Sequence, residues 1–233
     1  MIPISDSPRR RNVPIVNVLI IFVNVAVFLY ETTLSDLQLQ NFVMSYGIVP
    51  AEIVKGLDLP PAVPFPIWLT TLTAMFIHGG WLHLGSNMLF LWVFGDNVED
   101  RLGSLPYLFF YLVCGIIAAL VQIATGPGST VPSIGASGAI AGVLGAYILL
   151  FPRATVRSIL PVIPFGCLFG FIPIPAVLMI GLWFIIQIFS GIADLGVATA
   201  QSGGVAYWAH IGGFVTGIVL VLAFRRVARL SRA

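Results

Sequence analysis

The chain alternates long apolar runs with short polar segments. Residues 1 to 12 are polar and carry Arg9, Arg10 and Arg11. Val13 to Tyr30 follows as an 18-residue run, long enough for a membrane-spanning helix. Arginines ahead of an apolar run also describe a signal peptide, but this run exceeds a usual signal core and no small-residue cleavage site follows it, so an uncleaved first helix is expected. Asn17 and Asn24 lie within it and are expected to bond across to neighbouring helices. Further spanning helices are predicted over Trp81–Val98, Leu105–Ala124, Ser137–Phe151, Ala176–Ile192 and Val205–Phe224. Between the first two lies a long connection, residues 31–80, ending in prolines 60, 61, 64 and 66. A structureless loop of that length is unusual, so short interfacial helices are expected inside it. The pattern leaves the Pro/Gly-broken stretch Ile159–Pro175 open between an interfacial and a partly inserted reading.

Composition agrees with the runs. Of 233 residues, 58% are hydrophobic and 9% charged; a soluble domain carries about 25% charged residues. Mean hydropathy is +1.02. The expected class is an all-α, polytopic membrane protein with a six-helix bundle. Residues 1–12 form an N-terminal cytoplasmic segment, 13–226 the membrane domain and 227–233 a basic tail. Cys114 and Cys167 sit in apolar sequence without metal spacing and read as free packing thiols.

Charge placement orients the bundle. With six spans and the N-terminus inside, ten of the eleven Lys and Arg residues face the cytoplasm, and only Lys55 lies outside. Five or seven spans would put the two basic termini on opposite sides. Both termini are therefore expected to be cytoplasmic, with the plasma (inner) membrane of a prokaryote as the expected location.

The candidate chemistry centres on GASGAIAG, residues 135–142. Ser137 lies in a glycine-lined groove within apolar sequence, which suits either a nucleophile or a packing serine. Gly138 and Gly142 lie four apart on one helix face. Gly213 and Gly217 repeat that spacing just after His210, so these two helices are expected to pack closely and bring the Ser137 hydroxyl to the His210 imidazole. A neutral imidazole can take the serine proton and return it to a leaving amine. His83 and Asn87, also four apart, could donate to an oxyanion together with the Ser137 N–H. Counted back from Arg153, Arg225 and Arg101 at about 1.5 Å per residue, Ser137, His210 and Asn87 reach a similar depth, roughly 21–23 Å above the cytoplasmic helix ends, and His83 lies one turn higher. In a core about 30 Å thick this is the outer half. His78 and His83 are five apart with no carboxylate or thiolate at ligand spacing, so no metal site is expected.

These residues resemble the rhomboid intramembrane serine proteases over roughly residues 70–222. HGGWLHLGSNMLFLW (78–92) is similar to the family's second helix, GDNVEDRLG (95–103) to its acidic turn, GASGAIAG to its nucleophile motif and AHIGGFVTG (209–217) to its base motif. The resemblance implies a rhomboid-like bundle and a serine endopeptidase working through a Ser137–His210 dyad without a third acid or any cofactor. It implies transmembrane segments of single-span membrane proteins as substrates in the lipid bilayer, with no nucleic-acid partner. Glu99 is expected to be structural, accepting turn N–H groups or pairing with Arg101. Two positions depart from the family pattern. Ala141 stands where many members place an aromatic residue against the histidine, and Trp68 is followed by Leu69 where members often have arginine. One alternative is a non-catalytic relative that binds membrane helices, although such relatives lack the serine or the histidine. A transporter would fit broken helices and mid-membrane polar groups, but Asp194 is its only candidate coupling charge.

Overall fold

The computed structural model describes residues 1–159, 171–195 and 205–230. Helix α1 spans Ile15–Glu31. The long connection folds into α2 (Asp36–Tyr46), α3 (Pro50–Lys55) and a run of tight turns over Ile67–Phe76 that includes α4 (Thr70–Thr73). A capping box between Ser35 and Gln38 starts α2. Next come α5 (Trp81–Phe90), a π-helical turn (Leu91–Gly95) and α6 (Asp96–Leu102), forming one continuous helical run. Then follow α7 (Ser104–Thr125), α8 (Ser137–Leu150), α9 (Ala176–Asp194) and α10 (Tyr207–Leu230). The helical membrane bundle expected from sequence is present, with most helix limits within three residues of the apolar runs. Cys114 is a buried free thiol; Cys167 and part of the open 159–175 stretch lie outside the described residues.

Helices α7, α9 and the Tyr207–Phe224 part of α10 are long and apolar enough to cross a membrane. Large apolar side chains are exposed on α1, α7, α9 and α10, among them Phe22, Phe109, Leu178, Phe189 and Val219. A surface this apolar suits lipid and not water. Helix α8 differs. Its 14 residues span only about 21 Å, short of the roughly 30 Å hydrocarbon thickness, and most of them are buried. It is a central helix, shorter than α7, α9 and α10.

A three-stranded antiparallel sheet is added to the helices. β1 (Ile2–Asp6) and β3 (Phe171–Pro175) flank β2 (Thr155–Ile159). Pro3, Pro173 and Pro175 all fall on the two edge strands, where a missing N–H costs no ladder bond. The N-terminal segment is thereby stitched to the connection between α8 and α9. Asp6 accepts from the Tyr147 hydroxyl and from Asn97 Nδ2, tying β1 to α8 and α6.

The same end of the bundle carries a polar clamp. The first N–H groups of a helix have no intrahelical acceptor. In α1, the Val16 and Asn17 N–H groups donate to the Glu99 carboxylate at 3.1 and 2.7 Å, and Ser104 Oγ donates to it as well. Glu99 thus accepts backbone N–H groups, but those of the start of α1 and not of a turn as expected; Arg101, the other expected partner, lies over the Phe151 ring, 5.1 Å from its centre. Asn17 bridges helices as expected: its Nδ2 donates to the Leu91 carbonyl at 3.0 Å and its Oδ1 accepts from Tyr107 Oη at 2.8 Å. The π turn starts at Leu91, so the widened ladder and the inserted Asn17 coincide. Asn24 does not bridge. Its Nδ2 donates to Ile20 O one turn back on α1, which corrects the expectation for that residue. Replacing the Glu99 carboxylate by an amide turns one acceptor toward these donors into a donor. Glu99→Gln is expected to lose about 1–3 kcal/mol of stability, read as a lower thermal midpoint in detergent; an unchanged midpoint would remove Glu99 from this role.

Candidate active site

The helix ends opposite the sheet enclose a cavity of about 700 Å³. Its walls come from α5, the first half of α8, the start of α10 and Trp183 of α9. Ser137 is the first residue of α8. The loop before it is held from two directions. Gly135 N–H donates to Ala74 O at 2.8 Å, and Ser133 exchanges backbone bonds with Ile48 at 2.8 and 3.0 Å. The long 31–80 connection therefore braces the segment that presents the serine. Gly135 has φ +118°, and a Cβ there would press into the His83 ring, so glycine is needed for both backbone and space.

Packing of α8 on α10 sets the distance across the site. A Cβ at Gly213 would overlap the Gly138 carbonyl, and one at Gly217 would overlap the Gly142 carbonyl. The two glycine pairs predicted to face each other do so, and backbone meets backbone. The result places Ser137 Oγ 2.8 Å from His210 Nε2. His210 is buried, with 9% of its surface exposed, so the pair is largely shielded from bulk solvent on the histidine side.

His83 and Asn87 both line the cavity with Ser137 and His210. The Gly79 N–H donates to His83 Nδ1 at 3.3 Å. A backbone N–H can only donate, so in the neutral ring the proton sits on Nε2, the nitrogen that faces Gly135. His83 thus offers a donor beside the serine loop. Asn87 is buried, with Nδ2 3.1 Å from His78 Nε2. His78 in turn donates its backbone N–H to the buried Glu31 carboxylate at 3.3 Å. The N–H groups of Ser137, Gly138 and Ala139 open α8 ahead of its first internal bond, from Ile140 N to Ala136 O. The N-terminus of α8 therefore adds unsatisfied donors and a positive dipole end at the serine.

Sequence reasoning missed how His210 is oriented. Ala141 is at the position left empty of an aromatic ring, and it lines the cavity. The histidine instead meets α9: its Nδ1 is 2.8 Å from Gln187 Oε1, and the Trp183 ring centre is 5.7 Å from its own. The available signal was a single amide, Gln187, inside an otherwise apolar span. Glu31 and His78 were likewise unassigned in the sequence. Gln122 of α7 supports the start of α10 by accepting from Ala209 N–H at 3.1 Å.

A half-buried serine hydrogen-bonded to a buried imidazole at a helix N-terminus, in a membrane bundle, defines a class that comparison with known proteins makes specific. The family model described as Rhomboid domain matches residues 67–227. Over 163 residues the chain is 33% identical to "Rhomboid-like protein 11, chloroplastic" of Arabidopsis thaliana, covering 67% of this chain and 52% of that protein. It is 31% identical over 156 residues to "Rhomboid protein 1, mitochondrial" of Saccharomyces cerevisiae, covering 65% and 40%. Against "Rhomboid protease GluP" of Bacillus subtilis the identity is 39% over 111 residues, covering 45% and 21%. The chain spans about half or less of the length of these relatives. The protein belongs to the rhomboid family, an integral membrane family that includes intramembrane proteases.

Proposed function

We propose that this protein is an intramembrane serine endopeptidase in which Ser137 attacks the scissile carbonyl and His210 serves as general base and then general acid. The observation that carries this reading is the 2.8 Å contact between Ser137 Oγ and His210 Nε2. In the first step Oγ bonds to the substrate carbonyl carbon while its proton passes to Nε2. The developing oxyanion is placed among the α8 N-terminal N–H groups, His83 Nε2–H and the Asn87 amide. Collapse of the intermediate expels the amine, which takes the proton from His210. Water then repeats the sequence on the acyl-enzyme and frees Ser137.

We further propose six crossings, counting α1, the Trp81–Leu102 run and α8 with the three longer helices, with both termini cytoplasmic. Support comes from the sheet, which joins residues 2–6 to residues 155–159 on the end that also holds Arg10 and Arg101. The membrane domain would then be residues 13–226, flanked by the cytoplasmic segments 1–12 and 227–233. The cavity faces the other side, and the shortness of α8 leaves Ser137 roughly 9 Å below that surface if its far end is flush.

Water can reach a site at that depth from outside, and a substrate helix must unwind there to expose a carbonyl. Residues of low helix propensity near the cut lower that cost. Cleavage is therefore expected within or just beside the outer third of a single-span substrate helix, after a small residue, with release of the ectodomain. Incubating the purified full chain in vesicles with a panel of single-span proteins, followed by mass spectrometry of the fragments, tests this. Cuts at the cytoplasmic end of the substrate helix would contradict the proposed orientation.

Donors to the oxyanion are redundant in this site. Loss of a lone donor costs about 10²–10³ in rate; Asn87→Ala is expected to cost less, because His83 and the α8 N–H groups remain. If Asn87→Ala and His83→Ala both leave kcat unchanged, singly and combined, α5 does not contribute to the oxyanion site.

A further inference from the structure

Gln187 lies on α9 with 6% of its surface exposed and uses both ends of its amide. Its Nε2 donates to the Trp183 carbonyl one turn back, at 3.3 Å, and its Oε1 is 2.8 Å from His210 Nδ1. The Trp183 carbonyl can only accept, which fixes the amide with its N–H₂ group toward α9 and its oxygen toward the histidine. An amide oxygen can also only accept, so Nδ1 of the ring must carry a proton. Nε2 of the neutral ring is then bare and must accept from the Ser137 hydroxyl. Turning the amide over would set its oxygen against the Trp183 carbonyl. Turning the ring's proton to Nε2 would set the Nδ1 lone pair against the amide oxygen. Each alternative leaves two buried acceptors facing each other, and such unpaired polar contacts are costly away from water.

We propose that Gln187 is a positioning residue that holds His210 in the Nδ1–H tautomer, so that Nε2 is free to take the Ser137 proton. The catalytic meaning of this assignment rests on the reading of Ser137 and His210 as the reacting pair; the hydrogen-bond relay itself does not. A neutral amide also suits the setting. It supplies the orienting acceptor that an acid would supply, without placing a charge within the membrane span, where ionised groups are expensive. The relay further ties the ring to α9. Separation of α9 from α10 would remove the acceptor and release the histidine.

The test uses the full chain in detergent micelles with ¹⁵N-labelled histidine, the His210 signals being identified by their loss in His210→Ala. The wild type is expected to show a protonated Nδ1 and a bare Nε2. Gln187→Met keeps the length but not the acceptor. It is expected to lose the fixed Nδ1–H pattern and to slow fluorophosphonate labelling of Ser137 roughly fivefold, the worth of one net hydrogen bond. Gln187→Glu, held as the neutral acid in the span with its O–H donating to the Trp183 carbonyl, returns an acceptor of equal reach and is expected to restore the Nδ1–H pattern and most of the rate. In substrate cleavage the Met variant lowers kcat with KM little changed. A wild-type ring protonated on Nε2 would overturn the proposal without any variant being needed. So would a Met variant that leaves the ring proton in place, whether or not labelling slows. If the wild-type ring shows the expected pattern but Ser137 does not label, the protease reading fails and the relay stands.

Discussion

Ser137→Ala and His210→Ala are each expected to reduce cleavage of a membrane-helix substrate by at least about 10⁴-fold, and the double variant is expected to be no worse than either. The reason is geometric. Oγ and Nε2 share one hydrogen bond of 2.8 Å, and proton removal by the imidazole has no purpose without the hydroxyl that loses the proton. Groups that act as a unit do not have additive effects. Steady-state turnover of purified protein with purified substrate checks this. Independent, multiplying losses from the two positions would mean that they serve different steps. Substantial turnover in Ser137→Ala would assign the nucleophile elsewhere.

The second large effect is expected at Gly213. It lies one turn after His210, and its Cα touches the Gly138 backbone so closely that a methyl group would overlap the Gly138 carbonyl. A backbone oxygen in a buried helix cannot swing aside as a side chain can. Gly213→Ala must therefore push α10 away from α8, at a cost of about 3 kcal/mol, the upper end of ordinary overpacking. The same displacement carries His210 away from Ser137, so activity falls in whatever fraction stays folded. Gly181→Ala is the matched control. It is a helical glycine on α9 whose added methyl meets nothing within 4 Å, and it is expected to be neutral or slightly stabilising through helix propensity. A Gly213→Ala protein with wild-type thermal midpoint and rate would show that the tight α8–α10 contact does not hold the site.

The sequence was most legible where the physics is local. A bilayer demands apolar runs of set length, so Leu105–Ala124 reads directly as a helix found at Ser104–Thr125, and Ala176–Ile192 as one found at Ala176–Asp194. Glycines four apart mark a face on which only another backbone fits, which made the α8–α10 contact and the meeting of Ser137 with His210 readable before any coordinates. The unread parts depend on pairings remote in sequence. β1 finds its partner about 150 residues downstream, and a five-residue polar-apolar segment ahead of three arginines carries no mark of that partner. Asn24 could have bonded across helices or back along its own; only the rotation of α1 in the bundle decides, and it turns Nδ2 to Ile20. Gln187 is similar. One amide in an apolar span announces a polar contact, but the 2.8 Å meeting with His210 depends on how α9 is rotated against α10.

The most direct measurement is fluorophosphonate labelling of the purified full chain, with the modified residue located by peptide mass spectrometry. An activated hydroxyl reacts where an ordinary packing serine does not. The expected result is one adduct on Ser137 in the wild type, none in Ser137→Ala and strongly slowed labelling in His210→Ala. A wild-type protein that stays unlabelled at Ser137, or labels there equally fast without His210, would contradict the account.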